Sequence, residues 1–504
     1  MLPHLFIRAD STRQIGAGHL MRCLALAQHW RDQGGKATFL SFCESASLRK
    51  RIESEAFFFH PIQAPYPHLN DLQTVQTIFS SYVSPWMVID GYHFDATYQS
   101  ACRALGYKTL IIDDTAHQPC CDADVLLNQN IHAHTLNYTC PPGTVFLLGL
   151  RYALLRSEFL KFTPKTTTQS PPHILVTLGG SDPGNVTGIV IQALKNCQTM
   201  DFHARIVVGP VNPHLNQLKE AVSNAPNLEL CTDVSHLSEH IAWADVAISA
   251  SGTTTWELLV MGVPTLSVIV ADNQFELAQT LSQLGAIHLL GLSSEITPLK
   301  IEQSLLNLLH NPSQQAHMRQ MGKFLIDGLG AQRVVQMLTT FENRIKQPMI
   351  RHAEPTDALL LYRWANDPIA RSNSFHKDPT TWPNHLKWYA ARLSSPDTRI
   401  WILERETRPL GLIRYDRITP DTASISFQID HPYRGQGMGS LLLQLTAPKA
   451  CQELQVSTIE GTTFATNEPS ARAFLKAGFK MSRETVENNI PCRIFTWFQT
   501  IANP

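Results

Sequence analysis

The residues with the clearest chemical potential lie in the stretch 7–22, IRADSTRQIGAGHLMR, where His19 follows two glycines. A short apolar run, Leu5-Phe6-Ile7, predicts a first strand, and Gly16 and Gly18 permit a tight turn with its backbone exposed to a ligand. A histidine at the start of the next helix faces the crevice at the carboxyl ends of a parallel sheet. Its unperturbed pKa near ~6.5 suits proton transfer at neutral pH. The alternative is a histidine that only caps or packs the start of a helix.

The elements that would position His19 follow a regular alternation. Leu20, Leu24 and Ala27 recur at the spacing of one helix face. Short apolar runs then alternate with helix-like stretches, which is typical of βαβ units and a mostly parallel sheet. The predicted strands of this first part are Ala37–Phe42, Trp86–Ile89, Thr109–Ile112 and Val125–Leu127.

Polar residues cluster where two of these strands end, in Asp90-Gly91-Tyr92 and in Asp113-Asp114-Thr115. Strand ends of this kind are where open α/β folds build their sites, so Tyr92 is a candidate substrate contact. For any single aspartate here, a helix N-cap or a turn is the stronger interpretation. Arg22, one turn into the first helix, would steady the substrate or form a surface salt bridge.

A second α/β half follows a predicted linker, SEFLKFTPKTTTQSPP at 157–172, which lacks periodicity after its sixth residue. Two similar halves around a crevice favour a two-lobed nucleotide-sugar enzyme over a single dinucleotide-binding fold. The strands predicted after the linker are Ile174–Leu178, Ala204–Val208, Leu228–Cys231, Val246–Ser249 and Thr265–Val268.

The stretch 249–257, SASGTTTWE, follows one of these strands and opens an apolar helix. Its small hydroxyl residues and its glycine leave backbone N–H groups free, which suits a pyrophosphate at a helix start. Glu257, one turn further in, could accept two hydrogen bonds from ribose hydroxyls. A helix capped by Ser or Thr, with an acid in a capping-box position, is the alternative. The candidate nucleotide contacts in this half are Gly180, Ser181, Ser251, Gly252, Thr253, Glu257 and Asn273.

A third unit begins at Met349, after the polar stretch 341–348, with a strand at Ile350-Arg351 and two helices. Later comes a strand, Ala423–Ile429, then Arg434-Gly435-Gln436-Gly437-Met438-Gly439 and a leucine-rich helix. A turn of exposed amides with one cation at a helix start suits the pyrophosphate of coenzyme A. The other strands predicted in this unit are Arg399–Glu404, Gly411–Tyr415, Ser424–Gln428 and Ser457–Gly461.

Composition excludes several classes of function. The net charge is −1, from 41 basic and 42 acidic residues among 504, which argues against a broad nucleic-acid surface. No apolar run approaches ~18 residues and no signal peptide is recognised, so we expect a cytoplasmic protein without membrane insertion. The ten cysteines form no C-x-x-C pair and no zinc spacing, so we expect free thiols and no metal. Binding by the adjacent Cys120 and Cys121 is a minor alternative.

Residues 1 to about 343 resemble the UDP-sugar hydrolases of pseudaminic acid biosynthesis. The resemblance is carried, in order, by IRADS, IGAGHLMR, VIDGY, IIDD, TLGGSDPGN and SASGTTTWELLVMGVPTLSV. It implies a fold similar to the two-domain glycosyltransferases that include the lipid II-forming enzyme, and a metal-independent attack of water at an anomeric carbon. On this resemblance His19 matches the catalytic histidine, and Glu257 matches the ribose-binding acid of the related transferases.

The third unit resembles the GNAT acetyltransferases, through the loop that begins at Arg434 and a later stretch, NEPSARAFLKAGF at 467–479. The segment YRWANDP, at 362–368, is similar to members that act on amino sugars and protein N-termini. The resemblance implies acetyl-CoA as cosubstrate. Many members carry a tyrosine near Phe474 that protonates the departing thiolate, a role that Phe474 cannot fill. The acetyl-CoA contacts expected are Phe427, Ile429, Arg434, Gly435, Gly437, Gly439 and Asn467.

We therefore expect a GT-B-like pair of Rossmann-type lobes, at 1–157 and 158–345, followed by a GNAT α+β domain at 349–504. The expected function is a bifunctional enzyme that acetylates a UDP-4-amino sugar and then hydrolyses the product to UDP and free sugar. One alternative is a glycosyltransferase fused to a protein or small-amine acetyltransferase. Another is a hydrolase with an acetyl-CoA-sensing domain.

Overall fold

The computed structural model describes residues 2–12, 14–68, 70–79, 82–165, 168–180, 182–197, 200–209, 212–232, 234, 236–343 and 346–499. The chain divides into two compact units, Met1–Glu342 and Asn343–Pro504. The predicted boundary between two lobes near residue 157 stays a prediction.

The first sheet of the first unit is entirely parallel, with the strand order β3-β2-β1-β4-β5-β6-β7. Its strands are β1 (Leu5–Ala9), β2 (Ala37–Ser41), β3 (Phe58–Pro61), β4 (Trp86–Asp90), β5 (Lys108–Ile112), β6 (Val125–Asn128) and β7 (Val145–Leu148). Its helices are α1 (Gly18–Asp32), α2 (Ala46–Ser54), α3 (Asn70–Phe79) and α4 (Ala96–Ala104). The predicted strands are confirmed, whereas β3 and β7 were not predicted because these edge strands are only partly buried.

The second sheet of this unit is also parallel, with the order β10-β9-β8-β11-β12-β13. Its strands are β8 (His173–Thr177), β9 (His203–Val208), β10 (Leu228–Thr232), β11 (Val246–Ala250), β12 (Thr265–Ile269) and β13 (His288–Leu292). Its helices are α5 (Val186–Asn196), α6 (Leu215–Val222), α7 (Leu237–Trp243), α8 (Thr254–Val260), α9 (Phe275–Gln283), α10 (Pro298–Leu309) and α11 (Pro312–Leu325).

Two segments tie these sheets together. The helix α12 (Gly330–Thr340) places its apolar side in the core beneath the first sheet, where it packs on α1. The first residues of the expected linker, Ser157–Lys161, form a short 3-10 helix in which Phe159 is buried. Thr166 and Thr167, also in the expected linker, lie outside the described residues.

The second unit contains a mixed sheet with the order β14-β15-β16-β17-β18-β20-β19, in which only the β17–β18 pair is parallel. Its strands are β14 (Met349–His352), β15 (Thr398–Arg405), β16 (Arg408–Arg417), β17 (Thr422–Ile429), β18 (Thr458–Phe464), β19 (Lys480–Glu487) and β20 (Ile490–Phe498). Its helices are α13 (Ala358–Ala365), α14 (Pro368–Ser372), α15 (Trp382–Ser394), α16 (Met438–Leu454) and α17 (Glu468–Lys476). The strand β14 is followed by α13, α14 and α15, whereas two helices were expected.

Candidate active sites

His19 lies at the start of α1, beside the carboxyl end of β4. The strands β1 and β4 pair in register with Ala9 opposite Asp90, so Asp90 ends its strand directly under the helix start. The Nδ1 atom of His19 is 2.7 Å from Oδ1 of Asp90, and the histidine side chain is 12% exposed. The sequence left open a histidine that only caps or packs the start of a helix; in the structure its ring also contacts a buried carboxylate.

The charge state of Asp90 decides which nitrogen of His19 carries the proton. Burial would raise the pKa of Asp90, but the charges and hydrogen bonds of Arg22 and His19 hold that pKa well below its usual value. An ionised carboxylate only accepts, so Nδ1 of His19 donates to it. In the neutral ring, the lone pair is then on Nε2, which has no hydrogen-bond partner among the described residues. This is the arrangement that a general base requires.

Arg22 is buried beneath this pair, and is not the surface salt bridge that was considered. It donates from Nε and Nη2 to Asp90, at 2.6 Å each, and from Nη1 to Asp114, at 2.7 Å. Because its guanidinium is occupied by two carboxylates, Arg22 orients the site and is not a free cation for substrate. Of the adjacent pair, Asp113 binds the N–H of Thr115, as expected for a turn residue, whereas Asp114 belongs to the site.

Tyr92 stands over His19 at the surface of the cleft. Its ring meets that of His19 edge to face at 5.3 Å, and its hydroxyl donates to Oδ2 of Asp114 at 3.2 Å. Burial, with the charge of Asp114, raises the pKa of Tyr92 above its usual value. Asn273, which follows β12 in the second sheet, lies near enough to the Tyr92 hydroxyl to oppose this rise in its pKa. Tyr92 and Asn273, both expected contacts, are therefore brought together across the cleft.

The glycine- and threonine-rich turn before α8 approaches the His19 helix closely. A Cβ placed on Gly18 would lie 3.9 Å from Oγ1 of Thr253, and one on Gly252 would lie 3.7 Å from Nε2 of Gln274. The backbone N–H groups of Gly252 and Thr253 have no acceptor among the described residues, which leaves them available to an anion. The starts of α1 and α8 thus face the same space.

Ser251 corrects one expectation about this turn. Its N–H donates to the carbonyl of Val268, and its fully buried hydroxyl hydrogen-bonds Ser267 at 2.7 Å. Both donors are used inside the lobe, so Ser251 holds the turn to β12 and does not reach a ligand.

Glu257 occupies the first turn of α8, with its side chain 14% exposed. Its Oε1 atom accepts from Nη2 of Arg156 at 3.0 Å. Burial and the neighbouring charge of Glu158 raise the pKa of Glu257, and the charge of Arg156 opposes them. Arg156 was not recognised from the sequence, because it lies about a hundred residues away in the stretch that leads to the predicted linker.

The remaining glycines of the first unit have different backbone requirements. Gly16 has a φ of 78° and closes a turn by donating to the carbonyl of Thr12. Gly180 follows β8 and is in close backbone contact with Gly209. A Cβ added to Gly209 would lie 2.2 Å from the carbonyl oxygen of Gly180. Ser181 lies outside the described residues.

A second imidazole–carboxylate pair was also missed. Nε2 of His93 is 2.9 Å from Oδ2 of Asp10, at the carboxyl end of β1. Asp10 in turn belongs to a buried network with Arg8, which also binds Asp71. The pair brings residues from two strand ends together, as the register of β1 and β4 requires.

In the second unit, β17 and β18 separate partway along their length. They pair from Thr422–Ile425 against Thr458–Gly461 and not beyond, although both strands continue. Residues 426–429 still pair with β16 on their other side. Phe427 and Ile429 therefore line an opening in which one edge of the strand is unpaired, and backbone amides there can meet a ligand.

The loop before α16 has the backbone that its glycines predict. Gly435 and Gly437 have φ values of 77° and 80°, where L side chains are strained. Gly439 is needed for close packing, because a Cβ there would lie 3.2 Å from the Phe427 ring. The free N–H groups at the start of this 17-residue helix suit a pyrophosphate.

Arg434 departs from its expected role as an open cation. Its Nε donates to the carbonyl of Ile429 at 2.9 Å, and its Nη2 donates to Asp367 at 2.8 Å. Only Nη1 lacks a partner among the described residues. Arg434 therefore ties the glycine loop to α14, whose first turn Asp367 caps.

Asn467 and Phe474 are both explained by α17. The Oδ1 atom of Asn467 accepts from the N–H of Ser470, so it is the N-cap of that helix. Phe474 is buried and stacks on Phe495 at 5.1 Å, over Gly461. A packed hydrocarbon ring supplies no proton, so the general acid remains unassigned.

No cluster of three or more potential metal ligands is found in the described ranges. Cys120 is exposed and Cys121 is buried, and both are free thiols. Among the described helices, none combines the length and apolar character needed to cross a membrane.

Two stretches of the chain match known protein families. Residues 349–480 match the acetyltransferase (GNAT) domain, and residues 173–330 match the glycosyltransferase family 28 C-terminal domain. An uncharacterised protein of Methanocaldococcus jannaschii is 23% identical over 501 residues, which are 96% of this chain and 98% of that protein.

Two further relatives match part of the chain. The UDP-2,4-diacetamido-2,4,6-trideoxy-beta-L-altropyranose hydrolase of Campylobacter jejuni is 23% identical over 288 residues, 56% of this chain and 97% of that protein. A spore coat polysaccharide biosynthesis protein of Bacillus subtilis is 26% identical over 167 residues, 33% of this chain and 49% of that protein. The chain therefore joins a unit similar to a UDP-sugar hydrolase, in which residues 173–330 match the glycosyltransferase family 28 C-terminal domain, to a unit that matches the GNAT acetyltransferase domain.

Proposed function

We propose that the chain catalyses two consecutive steps of pseudaminic acid biosynthesis in the cytoplasm. The second unit acetylates the 4-amino group of a UDP-4-amino-4,6-dideoxy sugar with acetyl-CoA. The first unit hydrolyses UDP-2,4-diacetamido-2,4,6-trideoxy-beta-L-altrose to UDP and the free sugar. The observation that carries the proposal is the His19 ring, oriented by buried Asp90, at a helix start where the neighbouring Gly18 approaches Thr253.

For the hydrolysis, Nε2 of His19 takes a proton from water while the water oxygen bonds to the anomeric carbon. The bond from that carbon to the diphosphate oxygen breaks, and UDP leaves with its electron pair. General base catalysis contributes about 10²–10⁴-fold. The N–H groups of Gly252 and Thr253 would receive the charge that develops on the diphosphate. We assign no metal to this step, so UDP release should persist with EDTA present.

For the acetylation, the neutral amine attacks the thioester carbonyl, a C–N bond forms and the C–S bond breaks with its electron pair on sulfur. The nitrogen gives up one proton to solvent, and the coenzyme A thiolate takes up a proton from solvent. Strand amides near Phe427–Ile429, at the unpaired edge of β17, would polarise the carbonyl. The amides around Gly437 would hold the pyrophosphate of coenzyme A. The two activities in one chain keep the intermediate at raised local concentration.

The test is incubation of the full-length protein with the UDP-amino sugar and acetyl-CoA, without an acceptor sugar. We expect coenzyme A and UDP in equal amounts. A His19→Ala variant should keep acetyl transfer and lose UDP release, and His29→Ala, on the same helix, is the matched control. Acetyl transfer without UDP release by the wild type would refute the hydrolase assignment. Loss of both activities together in His19→Ala would refute the division into two sites.

The same experiment separates the alternatives. A glycosyltransferase would release little UDP until an acceptor is added. A pure acetyl-CoA sensor would show no steady-state turnover of acetyl-CoA, in the wild type or in His19→Ala.

A further inference from the structure

The Arg156 side chain lies between the short 3-10 helix that follows it and the start of α8. It is 7% exposed, and its guanidinium stacks over the ring of Phe159 at 4.8 Å. Nη2 contacts Oε1 of Glu257 at 3.0 Å, and Nε lies 3.2 Å from Oε1 of Glu158. Arg156 is therefore a buried cation between two carboxylates.

The Glu158 end of this arrangement is anchored in the first lobe. Oε2 of Glu158 accepts from Nη2 of Arg51 at 2.6 Å, and Arg51, on α2, also pairs with Glu55 at 2.8 Å. Arg156 is thus held on one side by a network built on α2. Its remaining contact, with Glu257, reaches the lobe that carries the glycosyltransferase family 28 match.

This geometry leaves half of the Glu257 carboxylate available. Oε1 is committed to Arg156, while Oε2 has no hydrogen-bond partner in the part of the chain that the structure describes. A buried carboxylate without a cation beside it would favour its neutral form, which is a poorer acceptor. The ring stack and the Glu158 contact restrict the rotamers of Arg156, so its direction toward Glu257 is already set before a ligand arrives.

We propose that Arg156 is a positioning residue that holds Glu257 as an oriented carboxylate acceptor for the ribose hydroxyls of a nucleoside diphosphate. The inference rests on the proposed function, because a ribose reaches Glu257 only if a uridine nucleotide binds in this cleft. Arg156 itself touches no ligand in this account; its effect passes through Glu257.

The experiment compares UDP with 2′-deoxy-UDP in calorimetric titrations of the full-length protein. Hydrogen bonds to charged groups contribute enough for the wild type to prefer UDP by about 10- to 100-fold. Arg156→Gln and Glu257→Gln should each remove most of this preference, and Arg156→Lys should restore part of it. Arg205→Gln, which breaks an arginine–glutamate pair elsewhere in the second lobe, should keep the wild-type ratio.

Two further readouts exclude a merely structural role. In the Glu257→Gln background, adding Arg156→Gln should change the UDP to 2′-deoxy-UDP ratio no further, because the arginine acts through that glutamate. In hydrolysis assays, Arg156→Gln should raise KM for the UDP-sugar and leave kcat nearly unchanged, since the ribose contact is remote from the reacting bond. If Arg156→Gln is insoluble, the ratio of UDP to 2′-deoxy-UDP affinity is measured for Arg156→Lys instead. We expect that ratio to lie between those of Glu257→Gln and the wild type.

The outcomes are distinct. A wild-type ratio in Arg156→Gln, or equal binding of UDP and 2′-deoxy-UDP by the wild type, would overturn this inference and leave the proposed hydrolase standing. Failure of the wild type to bind UDP at all would overturn both.

Discussion

Asp90→Asn is the most informative single change in the first unit, because it preserves shape while removing the charge that orients His19. Asp90 accepts from Nδ1 of His19 at 2.7 Å and from two nitrogens of Arg22 at 2.6 Å. An amide must turn its NH₂ group toward at least one of these donors. Nδ1 then loses its charged acceptor, and the tautomer with the proton on Nε2 becomes accessible. In that tautomer Nε2 cannot accept a proton from water.

The expected size of the effect has two parts. The rate of UDP release should fall by about 10²–10⁴-fold, which is the contribution of a positioned general base. Breaking a buried ion pair costs about 3–5 kcal/mol of unfolding free energy, and we expect the lower end because Asp114 still binds Arg22. UDP release under saturating substrate, together with thermal unfolding, measures both parts.

The matched control is Asp95→Asn, only a few residues further along. Asp95 caps α4 by accepting from the N–H of Tyr98, and asparagine caps about equally well. This variant should therefore keep both UDP release and stability. A folded Asp90→Asn protein that releases UDP at a rate close to the wild type would refute the reasoning about His19.

Further predictions concern other parts of the chain. Gly437→Ala should weaken acetyl-CoA binding about tenfold, because alanine is strained at a φ of 80°, whereas Gly478→Ala, at a φ of 89° in a different turn, should leave the affinity unchanged; calorimetric titration distinguishes them. Phe474→Tyr should not accelerate acetyl transfer and should destabilise the fold by about 1–3 kcal/mol, because the ring is packed over a strand glycine; a higher kcat would contradict this. Ser251→Ala should cost about 1 kcal/mol of stability with little change in UDP affinity, as measured by unfolding and titration, because its hydroxyl is bonded inside the lobe. The pKa of Asp90 is lower in the folded protein than in the unfolded chain, where it is near ~4. Ionised Asp90 therefore stabilises the fold above that pH, and this stabilisation is lost as the pH falls toward the folded-state pKa. The difference in unfolding free energy between wild type and Asp90→Asn should be constant at neutral pH and shrink below about pH 4.

The predicted strands were found because the central strands of parallel sheets are buried on both faces. Leu5–Ala9 and Val246–Ala250 are completely or almost completely buried, so each appears in the sequence as an apolar run. Two of the edge strands, β3 and β19, lack this signal. Phe58–Pro61 is largely exposed and so is Lys480–Glu487, and neither was predicted.

The sequence by itself determined the local features of the sites: the glycine turns, the helix start at His19 and the loop around Gly437 follow from backbone preferences that act over a few residues. Only the tertiary structure decided which carboxylates meet these features. The register of β1 with β4 places Asp90 beside His19, 71 residues away in the chain, and packing of α8 brings Glu257 to Arg156. The tertiary structure also directs the side chains of Ser251 and Arg434 to hydrogen-bond partners within their own units. Such pairings depend on the distances between groups far apart in sequence, because charge and hydrogen-bond energies fall off over a few ångströms and are set by burial.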